Sequence, residues 1–209
     1  MSSKDVAAAL LSIDAVSLAP DEPFTWASGL RSPIYCDNRL IVSYPKVRKF
    51  ISKQLIEMIK REYPDVEVIA GTATAGIPHA SWVSAVLEIP MVYVRSSAKK
   101  HGRGNMIEGI IKSGQKVVIV EDLISTGGSA LTCAEALKEV GADVIGVAAI
   151  FSYQLPISER NFTQEGIKHT ALSNYPALIE VALERGVITD EQRTLLNEWN
   201  KDPANWWKE

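Results

Sequence analysis

The stretch VVIVEDLISTGGSAL, residues 117–131, begins as a run of buried-strand residues and ends as a turn rich in hydroxyls and glycine. Glu121 and Asp122 stand at the junction. In an open parallel sheet, ligands bind beyond the carboxyl ends of the strands, and this acid pair falls at such an end. Behind it, Leu123, Ile124, Ser125, Thr126, Gly127, Gly128 and Ser129 offer backbone N–H groups, side-chain hydroxyls and permissive glycines just ahead of a helix start. That combination cradles a phosphate. Carboxylates beside such a cradle suit a ligand with hydroxyls next to its phosphate, because the acids accept hydrogen bonds from a sugar diol while the N–H groups hold the anion. A phosphorylated ribose fits both halves, and negative charge there opposes positive charge growing on the sugar ring.

Familiar nucleotide fingerprints do not fit. A Walker A loop ends in Gly-Lys-Ser/Thr, whereas Gly127-Gly128 is followed by Ser129, and GTATAGIP from Gly71 has the two glycines and then Ile-Pro. Gly102 and Gly104 have Ile107 where a dinucleotide-binding fingerprint needs its third glycine. A second cluster is basic: RSSAKKHGRGN holds Arg95, Lys99, Lys100, His101 and Arg103, with Gly102 and Gly104 lending mobility. Taken alone it reads as a solvated loop. Together with the acidic motif it reads as a functional loop.

These groups need a scaffold. Short β-branched runs, VEVIAGT, MVYVRS, KVVIVED and DVIGVAAIFSY, alternate with helical stretches at 77–87 and 128–140, which implies an α/β fold with a parallel sheet covered on both faces. Ahead of them, apolar residues at three- and four-residue spacing from Lys46 to Arg61, behind Pro45, mark an amphipathic helix. FTWASGLRSPIYCDNR before it reads as a loop or short hairpin. After Tyr153 the pattern turns to helices: one from Pro176 to Arg185, a stop at Gly186, and a second opened with capping-box spacing at Thr189 and Gln192. We expect one domain over 1–209: a core of about 64–155 and a small lobe from about 1–63 and 156–209.

Composition limits the partners. With 46% hydrophobic residues and 22% charged the chain can bury a core, and a formal charge of −3 argues against a surface that neutralises a nucleic-acid backbone. No window approaches the roughly 20 apolar residues that span a bilayer. Cys36 and Cys133 lack metal-ligand spacing, and no side-chain metal site is expected. These features lead us to expect a soluble, cytoplasmic protein with no nucleic-acid or membrane partner. Cys133 and the tryptophans Trp199, Trp206 and Trp207 read as packing residues, the last three also as possible subunit contacts.

VVIVEDLISTGGSA resembles the phosphoribosyl-pyrophosphate (PRPP) motif of the type I phosphoribosyltransferases: four hydrophobics, two acids, two hydrophobics, then a hydroxyl- and glycine-rich loop. Arg95, Lys99, His101 and Gly102 reproduce the mobile-loop pattern of the orotate phosphoribosyltransferases, which narrows the resemblance. FTWASGLRSPIYCDNR looks like that family's base-side segment, and GTATAGIPHA like its pyrophosphate loop. The resemblance implies the type I core with a hood lobe, magnesium carried on PRPP, and a homodimer in which the 95–105 loop serves the neighbouring site. It implies catalytic roles for Glu121, Asp122 and Lys99, and a pyrophosphate grip from Arg95, Lys99, Lys100 and His101. It places the 5′-phosphate on residues 125–129 and the base on Ser125. Some members carry lysines where Ala27 and Ala75 stand, and an arginine near Tyr153. Arg31 is then the candidate cation for the base carboxylate. A purine or uracil phosphoribosyltransferase and a PRPP-sensing regulator remain alternatives at this point.

Overall fold

The structure is a computed structural model and describes residues 2–26, 29–96 and 106–207. The chain opens with α1 (Ser3–Leu11), β1 (Val16–Leu18), β2 (Phe24–Thr25), β3 (Arg31–Ser32), β4 (Ile34–Cys36) and a 3-10 turn at Asn38–Ser43. The core runs through α2 (Pro45–Glu62), β5 (Val68–Thr72), α3 (Gly76–Leu87), β6 (Met91–Val94), β7 (Ile107–Glu108), β8 (Lys116–Ile124), α4 (Gly128–Glu139) and β9 (Asp143–Ser152). It continues with α5 (Pro156–Gln164), β10 (His169–Asn174), α6 (Tyr175–Glu184) and α7 (Asp190–Lys201).

The main sheet has the order β10-β9-β8-β5-β6-β7, parallel except for the β6–β7 pair. Its central strands β5, β8 and β9 are nearly continuous apolar runs because both faces are covered. Val118, Val120, Ile69 and Ala148 pack under α1, α2, α3 and α6, while Val117, Ile119, Val68 and Val147 pack under α4 and Phe162 of α5. The chain steps from β5 outward to β6 and then returns to place β8 on the other side of β5. The strand order therefore reverses between β5 and β8, and the crevice at their carboxyl ends is the position where such sheets take ligands.

The helices follow their sequence signals. Pro45 opens α2, whose buried Ile51, Leu55, Met58 and Ile59 form one stripe. The α7 capping box is made: Gln192 N–H donates to Thr189 Oγ1 at 3.2 Å, and Thr189 N–H to Gln192 Oε1 at 3.0 Å. Two elements depart from the reading after Tyr153: α5 is a further helix, and β10 adds an edge strand to the sheet beyond the expected core. Its sequence, HTALSN, is polar and only half-buried, so it lacks the β-branched run that marked the others.

Within FTWASGLRSPIYCDNR, β2 pairs antiparallel with β3, and β4 follows. The two chain termini pack together, since α1 lies against α6, Lys4 pairs with Glu180 and Glu184 at 2.9 and 2.7 Å, and Ser173 Oγ donates to the Ser3 carbonyl at 2.8 Å. An aromatic cluster joins the hairpin to the tail: Trp26 lies 5.5 Å from Tyr153 and 5.9 Å from Trp199. Trp199 is fully buried, and its Nε1 donates to the Arg31 carbonyl at 3.2 Å.

Candidate active site

Register brings the first functional contact. Gly71 of β5 pairs with Val120 of β8, so the next residues along, Thr72 and Glu121, stand side by side at the strand ends. The Thr72 hydroxyl donates to Glu121 Oε1 at 2.7 Å and lies 3.2 Å from the Val120 carbonyl. Gly76 permits this closeness, because a side chain there would run into Thr72 Oγ1 and the Val120 carbonyl. Glu121 Oε1 also accepts from Asp122 N–H at 3.0 Å. Its other oxygen, Oε2, is buried and has no partner among the described residues. A buried acceptor left unpaired is costly and marks a position where a ligand donor would bond.

Burial, reinforced by the neighbouring Asp122, pushes the Glu121 pKa up, and burial raises Asp122 as well. Asp122 is anchored from above: its carbonyl accepts from Asn38 Nδ2 at 2.6 Å, and Asn38 Oδ1 accepts from the Cys36 thiol at 3.3 Å. The Arg39 charge acts to lower Asp122. Arg39 is itself clamped by Asp37, Nε to Oδ1 at 2.6 Å and Nη2 to Oδ2 at 2.7 Å.

Beyond the acid pair, Leu123 and Ile124 finish β8 and the chain turns into α4. Glu121, Ser125, Thr126, Gly127, Gly128 and Ser129 line a small cavity of about 40 Å³ at the α4 amino terminus. Gly127 caps the helix at φ +84°, and a side chain there would strike the Phe162 ring. Asn161 of α5 holds the same turn, its Nδ2 donating to the Thr126 carbonyl at 3.0 Å. The structure thus gathers Glu121 and the expected cradle residues 125–129 around one cavity, which Asp122 does not line.

On the other side of the crevice, Thr72, Ala73, Arg95 and Ser129 line a cavity of about 210 Å³. Arg95 lies 3.8 Å from Glu108, and its N–H donates to the Met106 carbonyl at 2.9 Å where β6 and β7 pair. Lys99, Lys100, His101 and Arg103 lie outside the described residues, as does Ala27. Ala75 stands at the start of α3. Arg31 is occupied within its hairpin: Nη1 donates to Thr25 Oγ1 at 3.0 Å and lies 3.5 Å from the Pro23 carbonyl. Cys133 is buried, as a small core residue should be.

Sequence reasoning missed Thr72, Asn38 and Asn161 as supports. Thr72 lies in GTATAG, whose resemblance points to the pyrophosphate and not to Glu121. The other two come from segments remote in sequence from the groups they hold. No cluster of three or more His, Cys, Asp or Glu among the described residues could hold a metal ion. No helix there is long and apolar enough to cross a membrane.

Comparison with known proteins agrees with this geometry. Residues 44–169 match the phosphoribosyl transferase domain family. The chain is 60% identical to an orotate phosphoribosyltransferase of Listeria monocytogenes over 98% of both chains, and 59% identical to one of Enterococcus faecalis over the same shares. Among solved structures it resembles Leishmania donovani UMP synthase with a TM-score of 0.79 and 27% identity, covering 95% of this chain and 43% of that one. It shares its fold with orotate phosphoribosyltransferase from Aeropyrum pernix, at a TM-score of 0.76, 24% identity, and 88% and 99% coverage. The crevice, the acid pair and the cradle all lie within the matched residues, and the chain belongs to the orotate phosphoribosyltransferase family.

Proposed function

We propose that the protein transfers the phosphoribosyl group of PRPP to orotate, giving orotidine 5′-monophosphate and pyrophosphate in pyrimidine nucleotide synthesis. The observation that carries this reading is the orphaned Glu121 Oε2, which sits buried beside Asp122 and the hydroxyl-rich turn. In the reaction, a ring nitrogen of orotate bonds to the anomeric carbon as the bond from that carbon to pyrophosphate breaks. Pyrophosphate is a good leaving group, so the protein's work is to position the partners and stabilise charge.

In this reading residues 125–129 hold the 5′-phosphate through backbone N–H groups and hydroxyls. Glu121 and Asp122 take the ribose hydroxyls and face the oxocarbenium-like charge, and Ser125 contacts the base. Arg95, the turn from Ala73 to Gly76, and Lys99, Lys100 and His101 serve the pyrophosphate. PRPP arrives as its magnesium complex, and the acid pair suits a cation on the ribose side; the metal would neutralise charge on the leaving group. Orotate-dependent release of pyrophosphate from magnesium PRPP, matched mole for mole by loss of orotate, tests the reading. Release that is independent of orotate, or none, would overturn it.

The active form in this reading is a cytoplasmic homodimer in which the 95–105 segment completes the neighbouring site. Exposed Leu40, Val42 and Tyr44 lead into α2 and exposed Val86 lies on α3, two helices that pack together with Arg48 over Trp82 at 5.0 Å. An apolar surface of this kind suits a second copy.

A further inference from the structure

Orotate is a flat ring with a carboxylate, and the cations expected to hold that carboxylate are missing or engaged. Ala27 and Ala75 carry no charge, Arg31 is bonded across its hairpin, and Arg39 is clamped by Asp37. A cavity of about 370 Å³ lies beside the phosphate turn, between the β2–β3 hairpin, the start of α5 and the chain after α7. Trp26, Leu30 and Ile157 give it apolar walls, Thr126 joins it to the phosphate cradle, and Arg160 and Lys201 stand at its edge. Neither Arg160 nor Lys201 has a carboxylate partner among the described residues. The one acid on the lining, Asp202, is engaged by Asn205 Nδ2, at 3.1 and 3.0 Å from its two oxygens.

Both cations are carried on helices tied to the site by the adjacent residue. Asn161, next to Arg160, donates to the Thr126 carbonyl at 3.0 Å. Asn200, next to Lys201, donates through Nδ2 to the Tyr153 carbonyl at 2.7 Å. Apolar walls with two exposed cations at their edge, on helices anchored at the adjacent residue, match a planar anion, and charge pairing of this kind sets specificity.

We propose that this cavity receives the carboxylate edge of the base, and that Lys201 and Arg160 are the residues that select orotate over bases lacking a carboxylate. The assignment rests on the reading that orotate is the substrate. The test is steady-state kinetics of Lys201→Ala, Arg160→Ala and the double variant, with orotate varied at saturating magnesium PRPP and then the reverse. Each single change raises the KM for orotate about tenfold or more, the KM for PRPP stays within about twofold, and Lys201→Arg restores most of the loss. Inhibition by uracil, which lacks the carboxylate, is the same in all forms. An unaltered orotate KM in the double variant, or equal losses for orotate, PRPP and uracil, overturns the assignment. Wild-type protein that fails to consume orotate would instead overturn the reading beneath it.

Discussion

Glu121 and Asp122 divide the electrostatic work at the strand end. Asp122 is fixed through its backbone by Asn38, whose Nδ2 donates to the Asp122 carbonyl. Asp122→Asn keeps the shape and removes the charge that opposes the growing positive ring. The expected outcome is a fall in kcat of about a hundredfold or more with little change in PRPP affinity, measured by steady-state kinetics and direct binding. Unchanged turnover would remove Asp122 from that role. Glu121 makes a different prediction, because burial beside Asp122 raises its pKa above the ordinary 4.5. The folded chain then keeps this proton to a higher pH than the unfolded chain does. The group's stabilising contribution is full below pH 4.5 and is lost as pH climbs through the raised value. Glu121→Gln mimics the neutral form. Its melting temperature should therefore gain on the wild type as pH rises from 4.5 towards 8, and a gap that stays constant would contradict the shift.

The turn between β8 and α4 is held from behind by α5, through Asn161 on the Thr126 carbonyl and Phe162 against Gly127. Gly127→Ala meets both a left-handed backbone and that ring. We expect a loss of about 1–3 kcal/mol in denaturant unfolding together with a raised KM for PRPP; a variant as stable and as tight as the wild type would show that the turn tolerates a side chain. This element was legible in the sequence because its strand, acids, hydroxyls and glycines are contiguous. Its supports were not. Asn161 belongs to a helix that the polar segment after Tyr153 did not announce, and Thr72 reaches Glu121 only through the β5–β8 register, which no local pattern reveals. The edge strand β10 went unread for the same reason: HTALSN packs on β9 through backbone pairing and half-burial, not through a run of β-branched residues.

At the scale of the molecule, alternating strands and helices announced the parallel sheet, and the switch between β5 and β8 explains why the site forms where it does. Less legible was how the hairpin and the residues after α7 come together beside the phosphate turn. Trp199 reads as a packing residue in sequence, yet its place among Trp26, Tyr153 and Tyr175 is what holds the tail against the hairpin. The exposed apolar residues around α2 and α3 carry the prediction of assembly. Sedimentation equilibrium should give about twice the 22.9 kDa chain mass, and a single-chain mass at micromolar concentration would exclude a shared 95–105 segment. The most direct test of the whole account compares bases. Purified protein with magnesium PRPP is offered orotate, uracil, hypoxanthine and adenine separately, while base consumption and pyrophosphate release are followed together. The account predicts turnover with orotate alone. Turnover with another base, or none with orotate, would contradict it.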